Sequence, residues 1–378
     1  MESIEQMIKR LCPGGVKQMK IGDICEILRG KRLTKKELYD DAQYKVFHGG
    51  LSPIGYYTKT NRPAQTVMVI NVGASAGTVG FCDEAFWSSD GCFCLSHNDN
   101  VALPKFLYYY LAAHQLSIQS RVRKAGIPTL DASAVKEIGI ALPPLEIQNR
   151  IVEVLDKMTT LEAELEAELE AELETRKRQY EYYRSKLLTF SEIGGIRQVV
   201  WKKIGEICVN CDNRRKPITS GKRIPGKYPY YGASGIVDYV EGYIFDGDYL
   251  LVSEDGANLL ARNSPIAFSI SGKNWVNNHA HVLSFETYAE RKYVEYYLNM
   301  IDLSKYISSA AQPKLNQQNL NNILIPIPPL SEQQRIVSIL DRFEALTTDL
   351  QSGLPAEIEA RRQQYEYYRN KLLTFEAV

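Results

Sequence analysis

Apolar residues settle into a helical rhythm from Pro144 onward. Ile147, Ile151, Val154, Met158, Leu161 and Leu165 step mostly by three and four, the spacing of a coiled-coil seam. The tetrapeptide Leu-Glu-Ala-Glu at 161–164 then repeats at 165–168 and 169–172, so Leu161, Leu165, Leu169 and Leu173 fall four apart. Each four-residue step overshoots a turn by about 40°, which locally unwinds a supercoil. Leu346, Leu350, Leu354 and Ile358 carry the same spacing late in the chain. Unbroken, each helix would run ~45 residues, or roughly 65 Å at 1.5 Å per residue. Gly353-Leu354-Pro355 interrupts the second copy, because an interior proline removes a hydrogen bond and costs about 3 kcal/mol. A kink or break is expected there, with Pro355 in the first turn of a new helix.

The two helical stretches are copies of one sentence. Pro143-Pro144-Leu145-Glu146-Ile147-Gln148-Asn149-Arg150-Ile151-Val152 returns as Pro328-Pro329-Leu330-Ser331-Glu332-Gln333-Gln334-Arg335-Ile336-Val337. Tyr180-Glu181-Tyr182-Tyr183-Arg184 returns as Tyr365-Glu366-Tyr367-Tyr368-Arg369, and Lys186-Leu187-Leu188-Thr189-Phe190 as Lys371-Leu372-Leu373-Thr374-Phe375. All three pairs of blocks lie 185 residues apart. A repeat of half the chain predicts two similar modules related by approximate two-fold symmetry. Such a molecule offers two reading heads to one elongated partner, for which DNA is the obvious candidate. The natural cover for one apolar stripe is the other helix, paired antiparallel.

Between the helices the pattern turns strand-like. Ile4, Met7, Ile8 and Leu11 predict a short opening helix that Cys12-Pro13-Gly14-Gly15 stops. Lys20-Ile21-Gly22-Asp23-Ile24-Cys25 and Lys203-Ile204-Gly205-Glu206-Ile207-Cys208 then open the two globular segments. Strands are expected over Thr66–Val72 and Tyr249–Val252, with turns at Gly73–Gly77 and Gly232–Gly235. Tyrosine-rich helices follow around Phe106–Leu111 and Tyr293–Leu298, and short strands at Ile138–Ala141 and Ile323–Ile327 close each module before Pro-Pro.

Composition narrows the chemistry. The 378 residues suffice for two or three domains, net charge is zero, and no apolar run approaches the ~18 residues that cross a bilayer. The acidic start Met1-Glu2-Ser3-Ile4-Glu5 is unlike a signal peptide, so a cytoplasmic protein is expected. Seven scattered cysteines fit reduced thiols. Cys208-Val209-Asn210-Cys211 lacks further ligands for a zinc site, and Cys92-Phe93-Cys94-Leu95 reads as a buried strand. There is no P-loop, and Gly73-Ala74-Ser75-Ala76-Gly77 reads as a hairpin turn rather than a dinucleotide loop. No Asn/Asp-Pro-Pro-Tyr/Phe motif for amino methylation occurs, since Leu142 and Ile327 precede the Pro-Pro pairs. Of the five histidines, only His279 and His281 share a strand face, and core or surface roles suit them better than metal. Catalysis by this chain alone is not expected.

Binding chemistry remains. Basic residues lean slightly toward the globular parts: 14 basic against 11 acidic over 18–142, 14 against 12 over 201–327, but 7 against 11 over 143–190. The first module carries Arg29, Lys31, Arg32, Lys35 and Lys36 after its opening strand; the second carries Arg214, Arg215, Lys216, Lys222, Arg223 and Lys227 at the equivalent place. Loops at His48–Ser52 and Tyr230–Ser234 sit at matched positions, as do Arg121–Gly126 (Arg121, Arg123, Lys124) and Ser309–Lys314 (Lys314). His48, Ser52, Tyr231 and Ser234 join the basic residues as candidates for phosphate and base-edge contacts. These loops differ strongly between modules while the helix ends barely differ, which suits two heads reading different half-sites on one frame.

Taken together, the Leu142–Val152 run, its twin ending at Val337, the Tyr-Glu-Tyr-Tyr-Arg blocks and the tetrapeptide spacer resemble the specificity subunit of a type I restriction-modification system over essentially the whole chain. The resemblance implies an α+β chain: two α/β target-recognition domains related by pseudo-two-fold symmetry, joined by two long antiparallel helices forming a coiled coil. The expected segments are an N-terminal helix (1–17), target-recognition domain 1 (18–142), spacer helix 1 (143–190), target-recognition domain 2 (191–327) and spacer helix 2 (328–378). It implies a non-catalytic subunit that reads a bipartite asymmetric site in double-stranded DNA and docks two methyltransferase subunits and restriction-translocase subunits. S-adenosylmethionine, ATP and Mg would serve those partners, with no cofactor in this chain. The rival expectation is a coiled-coil scaffold whose modules bind proteins, and a more distant one an enzyme with an unrecognised site.

Overall fold

A strand buried on both faces forms the middle of each half of the molecule, in a computed structural model that describes residues 2–190, 199–255, 258–262, 264–308, 313–348 and 352–375. The chain divides into two compact units, Met1–Leu169 with Ile358–Val378, and Glu170–Glu357. In the first, Thr66–Ile70 (Thr-Val-Met-Val-Ile) is wholly buried. Successive side chains of a strand point to opposite faces. Val67 and Val69 therefore enter the main core with Phe106, Leu107 and Leu111, while Met68 and Ile70 enter a second cluster with Phe47, Phe86, Cys92 and Cys94. Two-sided burial explains why this stretch shows no apolar–polar alternation.

The strands of the first unit form an antiparallel sheet in the order Cys25–Arg29, Cys92–His97, Thr66–Ile70, Val79–Cys82. Gly73–Gly77 is the connection of the hairpin that pairs Val69 with Val79. A smaller sheet orders Gly55–Tyr57, Tyr44–Phe47 and Trp87–Ser88, the last pair parallel. Lys17–Lys20 pairs with Gly139–Leu142. The tyrosine-rich helix Pro104–Ala113 covers the main sheet.

The second unit repeats this plan. Its main sheet orders Val209–Asn210, Ala280–Ser284, Tyr249–Ser253 and Ala267–Ile270. Leu250 and Val252 face one core, Tyr249 and Leu251 the other. The smaller sheet orders Gly235–Val240, Pro225–Gly232, Lys273–Val276 and Phe245–Asp246; Val200–Lys203 pairs with Leu324–Ile327; and Tyr288–Met300 is the covering helix.

The long helix Leu145–Leu188 starts at the carbonyl of Pro144, which accepts from Ile147 and Gln148. Its buried stripe is Ile147, Ile151 and Leu155, not the Val154 that a three-four seam selects. The first turns pack on their own module's core along a four-residue stripe. Leu161 is 63% exposed, since six residues beyond Leu155 it stands about 120° round the helix from that stripe. In the first unit this helix runs antiparallel to the helix Leu354–Leu373: Thr159 Oγ1 meets the Tyr365 hydroxyl at 2.8 Å, Glu166 pairs with Arg362, and Leu373 enters the core. In the second unit its later turns oppose Leu330–Thr348, with Tyr183 stacked on Phe343 at 5.5 Å and Leu188 against Ile336 and Leu340. At the expected interruption, the Gly353 carbonyl accepts from Ala356 and Glu357, so Pro355 falls in the first turn, where a missing N–H loses no partner. Leu350, one of the spaced leucines, lies outside the described residues.

Two polar fixtures recur at the junction of module and helix. Gln148 is fully buried; its amide donates to the carbonyls of Pro143 (2.8 Å) and Val101 (3.0 Å) and its oxygen accepts from the Leu103 N–H (2.9 Å). Gln333 donates likewise to the Pro328 carbonyl at 2.9 Å. Each covering helix is also clasped to an aspartate. Tyr109 and Lys105 reach Asp156 at 2.7 and 2.8 Å, and Tyr296 and Tyr288 reach Asp341 at 2.6 and 2.9 Å.

Gln148→Leu keeps the volume and strands one buried N–H and two carbonyls. Urea unfolding should show a loss of about 1–3 kcal/mol; an unchanged midpoint would show that the glutamine merely fills space.

Candidate nucleic-acid interface

The loops at Lys31, His48 and Arg123 in the first unit, and at Lys216, Tyr231 and Lys314 in the second, meet at one end of each unit's sheets, and backbone hydrogen bonds bring them there. In the first unit the Lys31 N–H donates to the Ser88 carbonyl (2.9 Å), and the Trp87 indole donates to the Lys31 carbonyl (2.7 Å). A Cβ at Gly30 would lie 2.2 Å from the Ser88 and Ser89 carbonyls, so only glycine lets the loop pass this close. The Ser89 N–H then donates to Phe47, Asn71 to Gly91, Leu130 to Asn71, and Gly73 to Pro128. The basic loop, the 88–91 turn, the loop after Phe47, the end of the central strand and the Arg123–Thr129 loop thus form one continuous rim.

The second unit builds the same rim with the same bonds. Lys216 donates to Val276 (3.3 Å) and accepts from the Trp275 indole (2.6 Å); Asn277 donates to Tyr231, Glu254 to His279, Leu315 to Glu254, and Ser308 to Lys314. These bonds set the correspondence between units. Lys31 matches Lys216, Phe47 matches Tyr231, Asn71 matches Glu254, Gly91 matches His279, and Thr129 matches Lys314. The sequence-level matching of His48 with Tyr230 is therefore off by two residues, and that of Arg121 with Ser309 by three, because loop lengths differ upstream. Ser309–Gln312 lie outside the described residues.

The candidate side chains divide by what already holds them. In the first unit Arg29, Lys31, Arg32, Lys35, Lys36, Ser52, Arg121, Arg123 and Lys124 are exposed. Arg29 Nε lies 3.4 Å from the Asp90 carbonyl, Arg121 donates to the Ala134 carbonyl, and Arg123 pairs with Asp131 across solvent. His48 is half-buried beside Asp90. In the second unit Lys216, Lys222, Lys227, Ser234 and Lys314 are exposed, with Lys314 Nζ 4.0 Å from Asp255. Tyr231 packs partly buried against Phe268. Three arginines are engaged within the fold. Arg214 lies over the Phe245 ring and donates to the Ile244 carbonyl. Arg223 lies over Tyr230 and pairs with Asp238. Arg215 pairs with Glu254 at 2.6 Å and Asp212 at 3.3 Å.

Sequence reading did not reach the network behind Arg215. His281 is 1% exposed; its Nδ1 lies 2.6 Å from Asp212, and its Nε2 lies 2.7 Å from the Leu315 carbonyl. It is a fastener between the sheet and the rim. In the first unit Phe93 stands at the corresponding strand position, so an apolar side chain replaces a hydrogen-bonded one. Burial alone would raise the Asp212 carboxyl, but the His281 ring, the Val282 amide and Arg215 outweigh it and hold that carboxyl below the usual range. Trp87 and Trp275, which pin the basic loops, were also missed; their single signal is a tryptophan at a like distance from the basic cluster in both modules. In Cys208-x-x-Cys211, burial pushes the Cys208 thiol up to about 12 and raises Cys211 as well, which disfavours the reactive thiolate. Among the described residues no cluster of three or more His, Cys, Asp or Glu side chains could hold a metal ion, and no helix is long and apolar enough to cross a membrane.

Known proteins share this plan. A family model described as the type I restriction modification DNA specificity domain matches twice, at residues 13–175 and 197–360. The chain is 33% identical over 309 residues to the EcoR124I/EcoR124II specificity subunit of Escherichia coli, covering 74% of this chain and 73% of that one. It is 40% identical over 198 residues to a putative type I restriction enzyme specificity subunit of Haemophilus influenzae, covering 51% of this chain and about half (49%) of that relative's length. Among solved structures, the HsdS subunit from Thermoanaerobacter tengcongensis superposes with a TM-score of 0.54 at 18% identity, over 96% of each chain. A chain from a structural study of type I R-M complex assembly and conformational transition reaches 0.68 at 17% identity, over 96% of this chain and 98% of that one. At these identities the likeness speaks for the fold.

The Asp212 network makes the second unit acid-sensitive. Its folded carboxyl titrates below the unfolded one, so its contribution is present above the unfolded value near pH 4 and is lost as pH falls through the folded value. Asp212→Asn, which breaks a buried ion pair, should cost about 3–5 kcal/mol at neutral pH. It should also flatten the loss of stability below about pH 4. Urea titrations at several pH values check this, and parallel curves for variant and parent would refute it.

Proposed function

Because this chain belongs to the type I restriction modification DNA specificity family, we propose that it is the non-catalytic DNA-reading subunit of such a system, each unit taking one half of a bipartite, asymmetric site. One observation carries this reading. The same loop rim is built twice from the same backbone bonds, yet its exposed chemistry differs from one unit to the other. Identical frames with different contact groups are what two unlike half-sites require.

The paired helices then act as a ruler for the unread base pairs between half-sites. Their repeated ends, where Tyr182 and Tyr183 on one copy and Tyr367 and Tyr368 on the other are exposed, serve as docking surfaces for two methyltransferase subunits. Restriction-translocase subunits complete the assembly. Adenine methylation with S-adenosylmethionine and cleavage driven by ATP and Mg belong to those partners, in the cytoplasm.

The exposed lysines Lys216, Lys222 and Lys227 make phosphate contacts in this reading. Replacing any one with alanine should weaken binding evenly across sequences and lower the slope of log affinity against log salt by about 1. Deleting Leu165–Glu168 removes ~6 Å of helix. Methylation maps of the assembled enzyme should then show the same half-sites moved closer by about two base pairs, at ~3.4 Å each. An unaltered spacing would defeat the ruler. Duplex binding that ignores salt, or none, would favour the protein scaffold instead.

A further inference from the structure

One imidazole stands at the centre of each rim, and the two rims supply it from different strands. In the first unit it is His48, the residue after Phe47, with its side chain 38% exposed and Nδ1 3.3 Å from Asp90. That contact is too poorly aligned for a hydrogen bond, leaving Nδ1 without one. The ring fits because residue 91 is glycine: a Cβ there would lie 2.7 Å from His48 Nδ1 and 2.8 Å from Cε1.

The second unit reverses the arrangement. The position matching Gly91 is His279, since each carbonyl accepts the N–H of the residue that follows the central strand, Asn71 or Glu254. The position matching His48 is Gly232, since Phe47 and Tyr231 pair in parallel with Ser88 and Val276. Histidine and glycine in one head are thus glycine and histidine in the other. His279 is 50% exposed, and its Nδ1 lies 2.9 and 3.0 Å from the two oxygens of Asp255. Asp255 matches Val72 through their bridges to Lys314 and Thr129, and the backbone beside His48 lies against Val72, a Cβ at Gly49 falling 3.5 Å from its carbonyl. Both routes therefore deliver a ring to the same place, beside a carboxylate.

We propose that this imidazole is a base-reading group of each head. The inference rests on the DNA-reading function above. Asp255 only accepts, so the hydrogen bond it makes with His279 places the ring proton on Nδ1, and Asp90 lies on the Nδ1 side of His48; with the neutral ring in that tautomer, Nε2, which has no protein partner among the described residues, is an acceptor. In the major groove the complement of a single acceptor is an exocyclic amino group, N6 of adenine or N4 of cytosine.

The test is selection from a randomised duplex pool by the full chain, at fixed salt, for the parent, His48→Ala and His279→Ala. The parent should enrich two half-sites. Each variant should lose roughly tenfold discrimination at one adenine or cytosine of one half-site, a different half-site for each, while the other half-site stays sharp. Thermal melting runs alongside, and a variant that fails to fold is replaced by His→Gln at the same position. Unchanged preferences, an even loss across sequences with a shallower salt slope, or relaxation at a guanine or thymine would each overturn the assignment. A parent that enriches no sequence would remove the DNA-reading function itself, and this inference with it.

Discussion

Each globular module is only as well placed as its attachment to a helix, and that attachment includes a short polar clasp. Tyrosine and lysine from the covering helix close on one aspartate of the spacer helix, Asp156 in the first unit. Tyrosines make the corresponding closure on Asp341 in the second, where Lys292 is bonded to the neighbouring Glu344. Apolar packing alone would let a helix roll by a few degrees at little cost, because it has no preferred direction. A carboxylate held by two donors from one side has a direction. The buried glutamine at the start of each helix adds a second fixed point one face away. Together they turn a greasy contact into a joint with a defined angle.

The two units also show how one frame carries different chemistry. The rim is set mostly by main-chain bonds, with the Trp87 and Trp275 indoles as the repeated side-chain pins, so most other side chains at the rim are free to differ. Where the first unit buries Phe93, the second buries His281 and answers it with Asp212. Where Ala141 donates its N–H to the Tyr110 hydroxyl, Pro326 has no N–H to give, and Tyr293 donates to its carbonyl instead. Such exchanges keep neighbouring elements joined while changing the groups that join them.

Much of this was legible in the chain itself. The repeat, the long helix, the Pro-Pro starts and the tyrosine-rich helices follow from spacing and breakers that act locally. The doubly buried strands were found by their unbroken apolar run. What escaped was set by tertiary partners. Val154 and Leu155 are both apolar, and only packing against the module beneath decides which is covered. Arg215 and Arg223 look like free cations in a basic loop, and nothing in their neighbourhood announces Glu254 or Asp238. The loop correspondence slipped by two or three residues because the repeat is exact in the helices and elastic between them.

The first unit is assembled from both flanks of the second. Thr159 and Tyr365, which touch within it, are 206 residues apart in sequence, and Leu373, 1% exposed, completes its core. As the chain leaves the ribosome, everything belonging to the second unit is made before the segment that seals the first. The earlier half must therefore wait without Leu373 to complete its core, while the later half can finish. Closing so long a loop is slow. The order of synthesis and the order of completion are thus opposite in this molecule, and its most vulnerable moment comes when it is nearly whole.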